Sequence, residues 1–184
     1  YLLGNLGDGT KYLNEILAEI RIMTAALSIG VATAAFEDTL QYSKERKQFG
    51  QPIYKFQAIK MKFAEMSVQL ETAKLYTLYA ASLSDDNKSR NKEAMIAKLY
   101  ASECANTICD TASRVMASYG YANDYPLQRY LRDARFTLIG GGTSEILKPF
   151  ASESIYTQAL IDSVLGKGIG KDGKRVWAEE DDPF

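Results

Sequence analysis

The sequence predicts an all-α fold, an up-and-down four-helix bundle with an additional C-terminal helix. Only four prolines occur in the 184 residues, and apolar or small side chains recur in steps of three and four along three long stretches. These rows are Leu13, Ile16, Ile20, Met23, Leu27, Gly30 and Ala34; Phe56, Ile59, Phe63, Met66, Leu70, Ala73, Thr77 and Ala80; and Ala97, Ala101, Cys104, Ile108, Thr111 and Val115. Such narrow rows are typical of long antiparallel helices, so we expect each row to pack against a neighbouring helix.

Helix-breaking residues divide the chain into five predicted helices. They cover residues 10–46, 56–83, 92–117, 126–137 and 143–165, and no convincing strand is expected. Gly50–Pro52 end the first helix, the polar residues 84–87 form a turn, and Gly140–Gly142 break the chain before a helix capped by Thr143. Small residues crowd the third helix, which predicts close helix approach there. Residues 166–184 are rich in Gly, Lys and acidic residues, and we expect a loosely ordered polar tail.

Composition and charge exclude several classes of function. Hydrophobic residues make up 46% of the chain and the net charge is -1, which gives no electrostatic case for binding nucleic acid. No uninterrupted run of 18 apolar residues occurs, so no membrane span is predicted. The absence of histidine excludes a Ser-His-Asp triad and His-ligated metal sites, and no metal is expected. Cys104 and Cys109 are interpreted as buried, unpaired thiols.

Three motifs name a family. They are Tyr42–Ile53 followed by Phe56 and Gln57; Tyr119–Tyr121, Asp124–Pro126 and Leu131–Arg135; and Ile139–Ile146. In this order they resemble the signatures of the C-terminal helical domain of flavin-dependent acyl-CoA dehydrogenases, over about Leu3 to Ala151. Residues 1–9 are similar to the exit from the family's central β domain, and with no initiator Met the chain is expected to be a fragment.

The resemblance implies a function for the whole enzyme. Such enzymes oxidise an acyl-CoA thioester to the trans-2-enoyl-CoA with FAD, in fatty acid metabolism. They pass electrons to an acceptor such as an electron-transfer flavoprotein. They commonly form homotetramers, arranged as a dimer of dimers, with FAD at the subunit interfaces. A cytoplasmic location is expected, or the mitochondrial matrix in a eukaryote, and the isolated fragment is expected to be inactive.

The resemblance also assigns roles to individual residues. The cofactor-binding residues would be Arg46, Gln48, Phe49, Gln57, Thr143 and Glu145, and the substrate-binding residues Arg21 and Gly142. A guanidinium suits a pyrophosphate because it donates paired, charge-assisted hydrogen bonds. A helix that begins at a Gly-Thr pair suits a phosphate or another cofactor oxygen. The plainer interpretations are a solvated arginine at a helix end and an ordinary capped turn.

Three departures from the family pattern concern the site. The usual catalytic glutamate in the third motif is Gly141 here, and the alternative position on the first helix is Ile20. Glu19, one residue earlier, is the candidate base, and Glu15 is a weaker one. Ser118 replaces a family glycine near the pyrophosphate, where Arg114 could compensate with charge. The adjacent residues Arg132 and Asp133 are interpreted as fixing the fourth helix against the bundle.

Two alternatives stay open at this point. One is a flavin-binding family member without its own catalytic base, either silent or dependent on a partner subunit, which is suggested by Gly141 and Ile20. The other is a helical interaction module without a small-molecule role, which is suggested by the long helices.

Overall fold

The computed structural model describes residue 2, residues 4–85 and residues 91–164, and within these ranges the fold is all-α. Five α-helices lie within the described ranges: α1 (Gly9–Glu45), α2 (Gln57–Asp85), α3 (Asn91–Met116), α4 (Leu127–Thr137) and α5 (Ser144–Val164). Two 3-10 turns, Ile53–Lys55 and Ala117–Gly120, precede α2 and follow α3. The predicted helix order is confirmed, and each boundary lies within two residues of its prediction.

A small hairpin corrects the expectation that the chain has no strands. Strands β1 (Lys47–Gln48) and β2 (Gln51–Pro52) pair antiparallel directly after α1. Phe49 and Gly50 form the two-residue turn with φ of 52° and 79°. Two successive positive φ angles are what the tightest hairpin turn requires. Strands this short carry no periodicity, so the sequence pattern could not reveal them.

Helix α3 is the centre of the bundle. It packs against α1, α2, α4 and α5, and its third-row residues Ala97, Ala101, Cys104, Ile108 and Val115 are buried as predicted. Small side chains predominate in this interface, and they allow helix axes to approach closely. The second row is also confirmed from Met66 to Ala80, whereas its first three residues are only half-buried.

The first predicted row lies on the exposed face of α1 and not on its buried face. Leu13, Ile16, Ile20, Met23 and Leu27 are all exposed in this chain. The residues that α1 buries instead are Ala18, Thr24, Ala25, Ser28, Ala32, Ala35, Thr39 and Ser43. Apolar or small residues recur with helical periodicity on both sides of α1. The prediction chose the side with the larger apolar residues, which is the outer face. Periodicity identifies a stripe on a helix but does not say what covers it.

Helix α4 is held by residues other than those predicted. Arg132 and Asp133 are both exposed. The contacts that fix α4 are made by the fully buried Leu127 and Ala134, together with an Asn106 side-chain amide that donates to the Ala134 carbonyl at 2.8 Å. The polar turn 84–87 is also corrected, because residues 84 and 85 still belong to α2. Residues 86–87 and the tail 166–184 lie outside the described residues.

Helix α1 is long and apolar enough to cross a membrane by length and composition alone, with a mean hydropathy of 1.6 in its most apolar window. No membrane span was predicted from the sequence, because polar residues interrupt the apolar ones. A core helix of a bundle meets the same criterion, and one face of α1 is buried against other helices. This property therefore identifies no membrane span by itself.

Candidate functional site

The first candidate site is a groove at the C-terminal end of α1. An open cavity of about 300 Å³ lies between the hairpin and the end of α3, and Arg46 and Gln48 line it. The other lining residues are Tyr42, Ile53, Val115, Ala117, Ser118 and Tyr119. The fold therefore brings residues of the first motif together with residues of the second, which are about 70 positions away in the sequence.

Arg46 is positioned by its backbone and by an aromatic ring. Its N–H donates to the Tyr42 carbonyl at 2.8 Å, and its own carbonyl accepts from the Ile53 N–H at 2.9 Å. The guanidinium carbon lies 5.9 Å from the Tyr119 ring centroid, a distance at which a cation is attracted to the ring face. The Arg46 side chain is exposed, so its remaining N–H donors can reach an anion in the groove.

Tyrosines form the wall behind Arg46. The rings of Tyr42 and Tyr119 lie 5.7 Å apart, and those of Tyr119 and Tyr125 lie 5.0 Å apart with their edges meeting faces. Burial raises the pKa of the Tyr42 hydroxyl, although the nearby Arg46 charge acts in the opposite direction. This hydroxyl therefore stays protonated at neutral pH and can donate a hydrogen bond.

Phe49 and Gln57 lie beside the groove but outside its lining. Phe49 is 92% exposed at the hairpin tip, and its ring meets the Phe56 ring at a centroid distance of 6.1 Å. Gln57 is exposed as the first residue of α2. A large exposed ring on left-handed backbone is unfavourable on both counts, since only Gly and short polar residues adopt that conformation readily.

The second candidate site is the glycine turn between α4 and α5. Arg21 of α1 donates through Nε to the Gly141 carbonyl at 3.3 Å. Lys98 of α3 donates through Nζ to the carbonyls of Leu138 at 3.1 Å and Gly142 at 2.6 Å. Two cationic side chains therefore hold one short turn. Positive φ angles at Gly141 and Gly142, 74° and 108°, explain why glycine occupies both positions.

Lys98 was not anticipated from the sequence. It is the largest fully buried side chain in the described part of the chain. Burial lowers the pKa of its ammonium group, and the charge of Arg21 acts in the same direction, while Glu103 and Glu145 oppose the shift. The sequence pattern could have indicated its burial, because Lys98 lies four residues after Ala94 and four before Ser102, on a helical stripe of small residues.

The start of α5 has the predicted cap. The Ile146 N–H points to the Thr143 hydroxyl oxygen at 3.4 Å, and the Ser144 hydroxyl donates to the Glu103 carboxylate at 2.7 Å. Glu145 is exposed, and hydrogen bonds from its own backbone N–H and from Thr143 lower its carboxyl pKa. The N-terminus of α5 is thus partly neutralised by carboxylates of this chain.

The structure locates the two positions where the family pattern would place a base. A Cβ added at Gly141 would lie 3.4 Å from the Thr24 hydroxyl oxygen, 3.7 Å from Arg21 Cγ and 3.8 Å from Ile20 Cγ2. The two positions are therefore neighbours in space, and neither carries a carboxylate. Glu19 is exposed and is not among these nearest atoms, so its role as a base stays a prediction.

The two sites lie far apart within one chain. Arg21 and Arg46 are 25 positions apart on α1, which is about 37 Å at about 1.5 Å per residue. This separation exceeds the length of an extended dinucleotide. The domain thus belongs to the class of all-α bundles that present cationic side chains at two separate positions along one long helix.

Comparison with known proteins identifies the family of this domain. Residues 7–156 match the family described as acyl-CoA dehydrogenase, C-terminal domain. The match covers more than half of the sequence, and the chain belongs to the acyl-CoA dehydrogenase family.

Individual relatives support this assignment. Benzylmalonyl-CoA dehydrogenase of Aromatoleum aromaticum is 58% identical over 77% of this chain and 38% of its own length. The caffeyl-CoA reductase-Etf complex subunit CarC of Acetobacterium woodii is 44% identical over 78% of this chain and 38% of its own length. The structure of butyryl-CoA dehydrogenase from Megasphaera elsdenii matches with a TM-score of 0.82 at 38% identity, over 84% of this chain and 40% of that one. The chain therefore spans about two fifths of the length of these relatives.

Proposed function

We propose that this chain is the C-terminal helical domain of an FAD-dependent acyl-CoA dehydrogenase that oxidises an acyl-CoA thioester to the trans-2-enoyl-CoA. The observation that supports this most directly is the groove at the end of α1, where Arg46 and Gln48 meet Ser118 and Tyr119. A guanidinium, an amide and hydroxyl groups form a donor set that suits a pyrophosphate. When bound, FAD supplies an acceptor for the hydride that leaves the substrate.

Several residues of this chain would hold the cofactor. Arg46 would pair with the pyrophosphate, and Gln48 and Phe49 would contact the same dinucleotide. Gln57, at the start of α2, would supply a further contact. Ser118 supplies a hydroxyl where the family has a glycine. The predicted compensation by Arg114 is not favoured, because this exposed guanidinium already donates to Asp110 at 2.7 Å.

The cofactor would be shared between subunits. Thr143 and Glu145 lie at the glycine-turn end of the domain and Arg46 at the opposite end, so one chain cannot bring all three to one FAD. Two copies of the chain can, if the groove of one subunit faces the turn of another. The exposed apolar row of α1 gives further surface for association into the proposed homotetramer, a dimer of dimers.

The glycine turn would bind the reacting part of the substrate. Arg21 and Gly142 stand beside Gly141, where the family places its base. The benzylmalonyl-CoA dehydrogenase relative acts, by its name, on a thioester whose Cα carries a second carboxylate. A 2-carboxyacyl-CoA is therefore the substrate class that we favour for this chain.

The proposed electron acceptor is an electron-transfer flavoprotein. One relative is named as a subunit of a complex with Etf. The described residues carry no group that could itself store electrons, since their two cysteines are buried and unpaired. Electrons would therefore leave through the cofactor.

A second candidate function is a flavin-binding subunit without turnover. Gly141 and Ile20 favour it, because they remove the carboxylate from both family positions. Both candidates predict a protein that purifies with flavin, and they differ in turnover with acyl-CoA. A helical interaction module would instead purify without flavin.

Phe49 and Arg46 offer a test of the cofactor site in the intact protein. Arg46→Gln is expected to weaken FAD binding about tenfold to a hundredfold, since charge-assisted hydrogen bonds contribute about 1.5 to 3 kcal/mol. Phe49→Asn should also weaken FAD binding. It should stabilise the FAD-free protein by about 1 kcal/mol, because Asn accepts left-handed backbone. Flavin fluorescence titration and urea unfolding measure the two effects.

The opposite results would contradict this site. Unchanged FAD affinity in both variants would mean that the groove does not bind the cofactor. Arg129→Gln is a matched control because this exposed arginine lies on α4, outside the groove. The isolated 184-residue chain is expected to show no acyl-CoA turnover. Measurable turnover by it would show that the chain holds a complete site.

A further inference from the structure

Arg21 is a half-buried cation whose hydrogen bond is to a neutral group. Its Nε donates to the Gly141 carbonyl, and among the described residues no carboxylate forms a salt bridge with it. Burial lowers the pKa of the guanidinium, which is the expected result of desolvation without a compensating anion. A cation removed from water without a paired charge is costly, so an anion beside it would be strongly favoured.

The surroundings of Arg21 add positive charge. The buried ammonium of Lys98 lies on the other side of the same turn, near enough that Arg21 acts on its pKa. Glu103 and Glu145 also face Lys98, but Glu103 accepts the Ser144 hydroxyl and Glu145 accepts the Thr143 hydroxyl. These carboxylates are therefore engaged at the start of α5, and neither forms an ion pair with Arg21.

No carboxylate is among the three atoms nearest to the position that a Gly141 side chain would occupy. Gly141 contributes no side chain, and the atoms nearest to where its Cβ would be come from Thr24, Arg21 and Ile20. The Thr24 hydroxyl already donates to the Ile20 carbonyl at 2.8 Å. The position is thus bordered by an Arg21 methylene, an Ile20 methyl group and a hydroxyl whose proton is engaged, and none of these groups can remove a proton.

We infer that a carboxylate on Cα of the substrate occupies this position, paired with Arg21, and leaves as CO2, so that no side chain removes an α-proton. The inference rests on the proposed function and deepens it. It makes Gly141 a substrate-binding feature, because a glutamate there would take the space and repel the substrate carboxylate. Arg21 becomes the residue that selects a 2-carboxyacyl-CoA over the acyl-CoA without that group.

The step balances without a protein base. The bond between Cα and the carboxyl carbon breaks, and CO2 departs. The electron pair of that bond stays on Cα and forms the Cα–Cβ double bond. One hydrogen on Cβ leaves with its own electron pair to the flavin oxidant. The anionic thioester thus yields a neutral trans-2-enoyl-CoA, CO2 and one hydride equivalent.

Matched substrates test the reaction in the intact flavoprotein. Ethylmalonyl-CoA and butyryl-CoA should give the same enoyl product, as should benzylmalonyl-CoA and 3-phenylpropanoyl-CoA. We expect turnover only with the carboxylated member of a pair, with one labelled CO2 released per enoyl-CoA. We also expect no deuterium exchange at Cα of the uncarboxylated member in D2O. Gly141→Glu is expected to introduce that exchange and to abolish the preference.

A binding measurement separates recognition from chemistry. Malonyl-CoA and acetyl-CoA differ by the Cα carboxylate and neither can be dehydrogenated. Calorimetry should show malonyl-CoA binding at least tenfold more tightly. Arg21→Gln should abolish that ratio and Arg21→Lys should retain part of it, whereas a purely structural effect would weaken both ligands equally. The surface variant Arg129→Gln serves as control and should keep the ratio.

Each failure has a distinct meaning. A yellow protein that oxidises butyryl-CoA or 3-phenylpropanoyl-CoA with Cα exchange would overturn the inference and leave the proposed function standing. Equal affinity for malonyl-CoA and acetyl-CoA would overturn it even if no substrate turned over. A colourless protein without turnover would overturn the proposed function, and the inference with it.

Discussion

The ammonium group of Lys98 ties three helices together. Lys98 extends from α3, and its ammonium group donates to the Leu138 carbonyl just after α4 and to the Gly142 carbonyl just before α5. Both carbonyls lie where a helix end or a tight turn leaves backbone groups without intrahelical partners. The position of the glycine turn, and of the proposed substrate carboxylate beside it, therefore depends on one buried side chain.

Replacing Lys98 by methionine tests this dependence. Lys98→Met keeps the length of the side chain but leaves the carbonyls of Leu138 and Gly142 without their donor, so the free energy of unfolding should fall by about 1 to 3 kcal/mol. Urea unfolding measures the change. Lys74→Met is the control, because Lys74 forms only an exposed pair with Glu71, and its effect should stay below about 0.5 kcal/mol. Equal losses in both variants would contradict the proposed role.

The buried thiols give a pH-dependent prediction. Burial, with the nearby charge of Asp133, raises the pKa of Cys109 from 9.0 to about 12. Between these values the unfolded thiol ionises while the folded one keeps its proton, so this group's contribution to stability falls as pH rises above about 9. At pH 8 neither Cys104 nor Cys109 should react with N-ethylmaleimide in the folded protein, and both should react in urea. Fast labelling of the folded protein, detected by mass spectrometry, would contradict the burial of the thiols.

How much of the site could be predicted depends on the residue. The resemblance assigned Arg46 and Gln48 to the cofactor and placed Ser118 near its pyrophosphate, and the groove brings these three residues together. The capping role of Thr143 followed from its position after three glycines. Lys98 was missed because a lysine in a helix is ordinarily exposed. Glu19 was chosen by proximity in sequence, whereas Ile20, Arg21 and Thr24 form the border of the turn.

At the scale of the elements, α1 has two unlike faces. Its inner face is lined by small and hydroxyl-bearing residues, and its outer face carries larger apolar side chains. Helix positions and lengths were predictable because Pro and Gly mark the ends of the helices. The orientation of α1 was not, since local sequence does not reveal which neighbours are present.

Adjacent alanines on α1 test the orientation. Ala25 is fully buried within the core cluster, and Ala25→Leu should overpack the α1–α3 interface and destabilise the protein by about 1 to 3 kcal/mol. Ala26 is exposed, and Ala26→Leu should change stability by less than about 0.5 kcal/mol. Thermal unfolding compares the pair under one buffer. The reverse ranking would mean that α1 is rotated about its axis.

At the scale of the whole molecule, apolar side chains on two helices stay uncovered. The row on α1 is accompanied by exposed Met61, Val68, Leu75 and Leu78 on α2. Exposed apolar side chains in such numbers are typical of surfaces that take part in interactions. It fits a domain that buries more surface against other subunits or other parts of a longer protein.

Association through α1 can be measured directly. Met23→Glu combined with Leu27→Glu places two charges in the exposed row, and we expect light scattering to show a smaller assembly than for the unchanged protein. Folding should be unaffected, because both side chains are exposed in the single chain. Thr107→Glu, on an exposed polar position of α3, is the control and should leave the mass unchanged. An identical mass for all three proteins would exclude this row from the interface.

The small residues between α1 and α3 have a consequence for how the sequence can change. An interface rich in alanine and serine has few long side chains that could adopt another rotamer to make room, so an added methylene tends to displace a helix. Random substitutions along α1 should therefore be rejected at about every third or fourth position on its inner side, whatever the chemistry of the incoming group. On the exposed side of α1, a substitution should be rejected when it changes the polarity of the side chain and tolerated when it changes only its size. Sequencing the folded variants of a saturation library of α1 would show which positions are restricted by side-chain size and which by polarity. The change from one restriction to the other would mark the boundary between the two faces of the helix.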